Sequence, residues 1–162
     1  MTDTNKNKKR TIVVAIAAAL AMPMEGLRQF AYYDPPGILT VCYGTTTDVV
    51  KGKKYSLEEC KALLNRDMIE SVDAVDRCKG KSNLSEKSWA ALADAVYNIG
   101  PKIVCDQSSS TLARKLAAGD VIGACNELPK WDKARVAGKM VALPGLTKRR
   151  AAEKNLCLEG AV

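Results

Sequence analysis

The hydrophobic pattern changes period along the chain, and the changes mark its parts. Residues 1–10, MTDTNKNKKR, are polar and end in a basic cluster, and residues 11–24, TIVVAIAAALAMPM, form a nearly unbroken apolar run. This is the order of a signal n-region followed by an h-region. As a helix the run spans about 21 Å against a hydrocarbon core of roughly 30 Å, too short for a permanent transmembrane segment. An export signal, a weak anchor and a buried first helix all remain open. Cleavage after Ala19-Leu20-Ala21 would leave a chain starting at Met22. Pro23 breaks the helical pattern, so the run and the segment after it read as two pieces.

From residue 30 to 55 the chain is punctuated by Pro35, Pro36, Gly37, Gly44 and Gly52. The β-prone pieces ILTVCY and TTTDVV between them predict a small hairpin or a three-stranded sheet. The pattern then turns helical. Ser56 and Glu59 form a capping box ahead of Leu57, Cys60, Leu64, Met68, Val72 and Val75, a spacing that predicts one long amphipathic helix ending near Cys78, long enough to bridge two lobes. Ser85 caps a second helix whose stripe is Trp89, Leu92, Ala93 and Val96, ended by Gly100 and Pro101. Shorter helices follow, one over residues 109–119 with a serine start and a Gly119 stop, and one over 121–128 capped by Asp120. A final helix begins after Pro144. Trp89 and Trp131 sit at helix-packing spacing and read as core. No repeat or linker intervenes, so the fold class is α+β, with a β-containing N-terminal lobe and a helical C-terminal lobe.

Composition narrows the chemistry. The 162 residues fit one domain or two small lobes sharing a core. Histidine is absent, which removes imidazole bases, Ser-His-Asp triads and most zinc sites; no metal or cofactor is expected. Acid and base work falls to Asp, Glu, Lys, Tyr or Cys. Lys and Arg outnumber Asp and Glu by 25 to 18, a net charge of +7 that favours a polyanionic partner. No groove-reading module accompanies the charge, which argues against nucleic acid. The six cysteines, Cys42, Cys60, Cys78, Cys105, Cys125 and Cys157, are even in number and contain no CxxC pair. They read as disulfides formed in an oxidising compartment, with the pairing open.

Glu25 and Asp34 are the candidate acid–base pair. Glycoside cleavage needs one protonated carboxyl to donate to the leaving oxygen and one ionised carboxylate to activate water. Glu25 directly follows the apolar run, where desolvation favours the neutral acid, and Asp34 lies in a solvent-open turn that favours the carboxylate. Two carboxylates nine residues apart mean little in a chain with 18 acidic residues. Specificity comes from the surroundings: Gly26, Leu27 and Arg28, then Tyr33, Gly37, Thr40 and Gly44.

With these residues the chain resembles the phage lysozymes, or endolysins, of glycoside hydrolase family 24, over about residues 24–158. YNIG at 97–100, SSTLARKL from Ser109, GDVIGACNEL, Trp131 and LPGLTKRRAAEKNLC are similar to motifs of its lambdoid branch, in the same order. The resemblance implies a lysozyme-like fold, with Glu25 as acid, Asp34 activating water and Thr40 positioning it. It also implies inversion, hydrolysis of the β-1,4 bond between N-acetylmuramic acid and N-acetylglucosamine in peptidoglycan, and host cell lysis by a monomer. Tyr32, Tyr33 and Asn98 are expected to meet sugar, and Arg149 or Arg150 to reach the cleft and orient Glu25. Thr45 departs from the family's usual histidine, which puts a structural ion pair in doubt. The pairing implied is Cys42–Cys60, Cys78–Cys105 and Cys125–Cys157, the second being extra to the commoner pattern.

Residues 11–22 also look like the uncleaved segment of signal-anchor-release endolysins. That divides the chain into a basic N-terminus with an apolar anchor, residues 1–22, and a catalytic domain, residues 23–162. It places the protein in the host periplasm after transient association with the inner membrane. Two other readings stand beside the hydrolase: a lytic transglycosylase, which needs the acid alone, and a cationic wall- or membrane-binding protein that has kept the fold without catalysis.

Overall fold

The computed structural model describes residues 2–162. Helix α1 (Asp3–Ala21) leads into a hairpin of β1 (Arg28–Tyr33) and β2 (Leu39–Cys42), and α2 (Leu57–Cys78) runs from it into the helical lobe. There follow α3 (Glu86–Ile99), α4 (Lys102–Cys105), α5 (Thr111–Ala118), α6 (Val121–Glu127) and a 3-10 turn (Leu128–Trp131). A second hairpin, β3 (Lys133–Val136) and β4 (Lys139–Ala142), precedes α7 (Pro144–Ala161). The fold is α+β, as the periodicity predicts.

The capping signals act as read. Ser56 accepts from the Glu59 amide while Glu59 accepts from the Ser56 amide, so both orphan donors at the start of α2 are satisfied. Ser85, Ser110 and Asp120 cap α3, α5 and α6 in the same way with their side-chain oxygens. Gly119 takes the left-handed conformation that ends α5. Pro144 is the first residue of α7, where its missing N–H costs nothing.

The core forms around α3, which is buried without interruption from Ser88 to Val96 and packs against α1, α2 and α7. Ala90, Ala91, Ala93 and Ala95 keep its surface low, so neighbouring helices can approach closely on more than one side. The Trp89 indole lies in this core and donates to the Val72 carbonyl at 2.9 Å. Trp131 is partly buried against the same cluster.

Helix α1 supplies Val13, Val14, Ala17, Ala18 and Ala21 to that core, on one helical stripe. Its basic half is tied down as well: Arg10 makes a two-point contact with Asp73 at 2.6 and 2.7 Å, Lys6 meets Asp76 at 3.2 Å, and Lys9 donates to the Leu84 carbonyl. The apolar run is thus a helix packed on the domain in this structure. Among the described residues no helix is long and apolar enough to cross a membrane.

The first sheet is a hairpin, not three strands. β1 and β2 pair antiparallel through Tyr32–Thr40 and Tyr33–Leu39, and the third segment adds a single bridge between Phe30 and Lys54. The expected strand at TTTDVV is irregular chain after an isolated bridge from Val41 to Thr45. The second hairpin is absent from the sequence reading. Its turn places Ala137 and Gly138 both at positive φ, the combination that matches the twist of two antiparallel strands. The strands themselves are exposed and rich in Lys, Arg and Ala, so no apolar alternation announces them.

All three disulfides pair as the family resemblance implies. Cys42–Cys60 joins β2 to α2, Cys78–Cys105 joins the end of α2 to α4, and Cys125–Cys157 joins α6 to α7. None reaches α1, which is attached by packing, ion pairs and the Lys9 hydrogen bond to Leu84.

The fully buried Ala17 faces the core and Ala19 faces solvent. Ala17→Leu is therefore expected to destabilise by about 1–3 kcal/mol through overpacking. In a chain of this size each kcal/mol corresponds to about 2–4 °C in thermal midpoint. Ala19→Leu serves as control, and thermal unfolding followed by circular dichroism should show a drop for Ala17→Leu only.

Candidate active site

The site begins where α1 stops. The Glu25 amide donates to the Ala21 carbonyl at 3.0 Å and the Met22 amide to the Ala18 carbonyl at 3.0 Å. The turn through Pro23 therefore hangs directly from the last turn of α1. This fixes the backbone of Glu25 relative to the helix that packs on α3.

Arg149 of α7 fixes the side chain. Its Nη1 donates to Glu25 Oε1 at 2.5 Å, while Nε and Nη2 donate to Asp94 Oδ2 and Oδ1 at 3.0 and 2.8 Å. The planar fork thus holds one carboxylate along an edge and presents its remaining side to the other. Arg149 is only 3% exposed and Asp94 is fully buried, whereas the Glu25 side chain keeps 24% of its surface open. Burial works against the Arg149 charge, but the hydrogen bonds and charge of Asp94, with Glu25 beside it, outweigh burial and hold the guanidinium above its ordinary pKa.

Glu25 lines a cleft of about 550 Å³ together with Tyr43, Gly44, Asp67, Glu70, Tyr97 and Asn98, residues drawn from the turn after β2, from α2 and from α3. Gly44 adopts φ +99°, which side-chain-bearing residues rarely take, and a Cβ there would point at Tyr97 Oη and Glu25 Oε2 at 3.6 and 3.7 Å. Tyr97 Oη donates to the Tyr43 carbonyl at 2.8 Å and ties α3 to that turn. Burial, and then the nearby Glu25 carboxyl, push the Tyr97 phenol up, so it remains a donor.

Asp34 and Thr40 are brought together on the β1–β2 hairpin. Asp34 Oδ1 accepts from the Ile38 amide at 2.7 Å, which closes the turn over Pro35, Pro36 and Gly37. Thr40 Oγ1 lies 3.0 Å from the Ile38 carbonyl and 3.4 Å from Asp34 Oδ2. Its single proton favours the carbonyl, the shorter contact. Neither residue lines the cavity that Glu25 lines.

The other expected site residues divide. Asn98 lies on the cleft wall, with Oδ1 held by Arg150 Nη2 at 2.8 Å and its amide nitrogen left for the cleft. Tyr33 is 60% exposed beside Lys51, and Tyr32 lies half-buried under Arg28. Of the two arginines expected to reach the cleft, Arg149 bonds Glu25 and neither lines the cavity. Arg149 reaches Glu25 from the core side, and Arg150 is wholly buried, bonded to Asn98 and to Glu153 at 2.7 Å. Burial, and then hydrogen bonding with Asp94, push the Glu153 carboxyl above its ordinary pKa. Glu25 is thus faced by a guanidinium, as the family resemblance implies, and not by an apolar wall alone.

Asp94 is the functional residue that the sequence reading missed. A charge inside the apolar stretch AALADAV demands a buried partner, and that demand was the available signal. Thr45 resolves the departure at the usual histidine: its hydroxyl donates to Asp67 Oδ2 at 2.7 Å, so a hydrogen bond stands where an ion pair was in doubt. Among the described residues no three His, Cys, Asp or Glu side chains cluster as a metal site.

Two lobes, a cleft between them and an arginine-held glutamate on its wall describe a lysozyme-like fold. The sequence profile of the phage lysozyme family matches residues 22–153, and the chain belongs to that family. A SAR-endolysin of bacteriophage PS119 is 41% identical over 138 residues, covering 85% of this chain and 78% of its own length. Among solved structures, the endolysin of Escherichia coli O157:H7 phage FAHEc1 has a TM-score of 0.77 at 30% identity, covering 91% of this chain and 92% of that one. The muramidase domain of SpmX from Asticaccaulis excentricus has a TM-score of 0.78 at 31% identity, covering 88% and 94%.

Thr45→Val keeps the shape of this buried side chain and deletes its bond to Asp67. A loss of about 1.5–3 kcal/mol is expected, the range for hydrogen bonds to charged groups, measured by urea unfolding at neutral pH.

Proposed function

We propose that the protein is an endolysin that hydrolyses the β-1,4 bond between N-acetylmuramic acid and N-acetylglucosamine in peptidoglycan. The observation that carries this reading is Glu25, delivered to the cleft wall by a buried arginine that is itself locked by Asp94. Glu25 is the general acid: its Oε2 faces Gly44 and Tyr97, while Oε1 is held by Arg149. Asp34 is the carboxylate that activates water, and Thr40, bonded to the same turn, positions it. Inversion asks for carboxyls roughly 6.5–9.5 Å apart, leaving room for the attacking water. Asn98 and Tyr33 are the sugar contacts. The surplus positive charge favours an anionic wall.

The protein works in the periplasm, after residues 11–22 have held it transiently at the inner membrane. Support comes from the SAR-endolysin relative and from the composition of the run, whose many alanines contribute little burial free energy and so leave a bilayer at modest cost. Because Glu25 hangs from the last turn of α1, the acid reaches its place only when α1 packs on α3.

Glu25→Gln should lower the rate of muropeptide release from purified peptidoglycan by roughly 10²–10⁴, the usual contribution of a general acid, while its circular dichroism spectrum shows the fold retained. Mass spectrometry of the wild-type products should show reducing ends gained by hydrolysis. Anhydro-muramyl products would identify a transglycosylase, and undiminished killing by the Glu25→Gln, Asp34→Ala double variant would identify a non-catalytic cationic protein.

A further inference from the structure

The cleft wall extends beyond Glu25 along α2. Asp67, Glu70, Ala74 and Arg77 line it at helical spacing, on one face of that helix. Asp67 marks the Glu25 end, because it is bonded to Thr45, the neighbour of Gly44, which lies beside Glu25. From Asp67 to Arg77 the helix axis advances about 15 Å. Arg77 is exposed and is the one cation among the described residues that line the cleft.

Its charge is left unpaired by its neighbours. Asp73 stands four residues before it, the spacing that ordinarily gives a helical ion pair. Arg10 of α1 takes both Asp73 oxygens instead, at 2.6 and 2.7 Å. Asp76 is held by Lys6 and Lys79. Glu70, on the same face, stands about 10 Å away along the axis, beyond a direct pair. Among the described residues Arg77 makes no ion pair.

The N-acetylated sugar rings of peptidoglycan offer a guanidinium no charge. The charge lies off the ring: the lactyl arm of each N-acetylmuramic acid ends in a carboxyl, either free or joined to a peptide with carboxylates of its own. Muramic acid recurs at every second sugar, so a strand with one arm at the scissile bond carries another further along the cleft. We propose that Arg77 is a specificity-determining residue whose planar fork binds a carboxylate on the arm of a muramic acid remote from the scissile bond. This rests on the reading of the cleft as a peptidoglycan site. So distant a contact is made alike in the ground and transition states, so it acts on KM and not on kcat.

The test compares Arg77→Gln with the unaltered full chain on peptide-bearing glycan strands, on the same strands after an amidase has freed their lactyl carboxylates, and on chitin oligosaccharides, which carry no carboxylate. On the strands whose carboxylate Arg77 takes, KM is expected to rise about tenfold, the low end for a hydrogen bond to a charged group, with little change in kcat. A rise confined to peptide-bearing strands assigns the carboxylate to the peptide, and one confined to stripped strands assigns it to the lactyl group. A rise on both means that Arg77 takes whichever carboxylate ends the arm. Arg77→Lys, which keeps the charge and loses the fork, is expected to recover part of the loss. The dissociation constant of chitin oligosaccharides, measured by calorimetry, is expected to stay the same. An equal loss on chitin, an unmoved KM on both kinds of strand, or a fall in kcat alone would overturn the proposal. Failure of the underlying reading is distinguishable, because the unaltered chain would then cleave neither strand.

Discussion

Arg149 is the constraint on which the rest depends. A buried guanidinium is costly unless its donors are taken, and here they are taken by Asp94 on α3 and Glu25 at the end of α1. Removing one partner of such a buried pair costs about 3–5 kcal/mol, so the three elements are held to one another by chemistry as well as by packing. The same contact that satisfies the arginine places the glutamate on the cleft wall. Stability and site geometry are therefore one arrangement, and neither can change alone.

That arrangement gives α1 an unusual position. Like α3 it carries no disulfide, and its buried stripe is mostly alanine, which yields little burial free energy per residue. Its hold comes from close approach to the alanine-rich α3 and from Lys6, Lys9 and Arg10 on the body of the protein. A helix bound in this way suits two environments. The disulfides meanwhile keep the remainder together, joining the hairpin to α2, α2 to α4 and α6 to α7.

Most helices were legible in the sequence because their signals are local. Ser56, Ser85, Ser110 and Asp120 satisfy backbone groups within their own first turns, and Gly119 ends α5 through its own φ. The hairpin at residues 133–142 was not legible, because its strands bury almost nothing and its turn depends on two residues alone. The pairing of Glu25 with Arg149 was expected from the family, but the depth of both arginines was not. A positive run such as KRR looks solvated until the partners that neutralise it are known, and these lie 55 and 124 residues away from Arg149. Asp94 was hidden for the same reason: its meaning is a contact distant in sequence.

The central claim is that this folded form, with α1 docked and Arg149 shared, presents Glu25 to the scissile bond. A crystal structure of the Glu25→Gln protein with a bound peptidoglycan tetrasaccharide tests it most directly. Residue 25 is expected within about 2.6–3.2 Å of the glycosidic oxygen, its side chain still on Arg149, with a water held by Asp34 on the opposite face of the sugar. A glycan seated away from residue 25, or reached only after α1 has left the core, would contradict it.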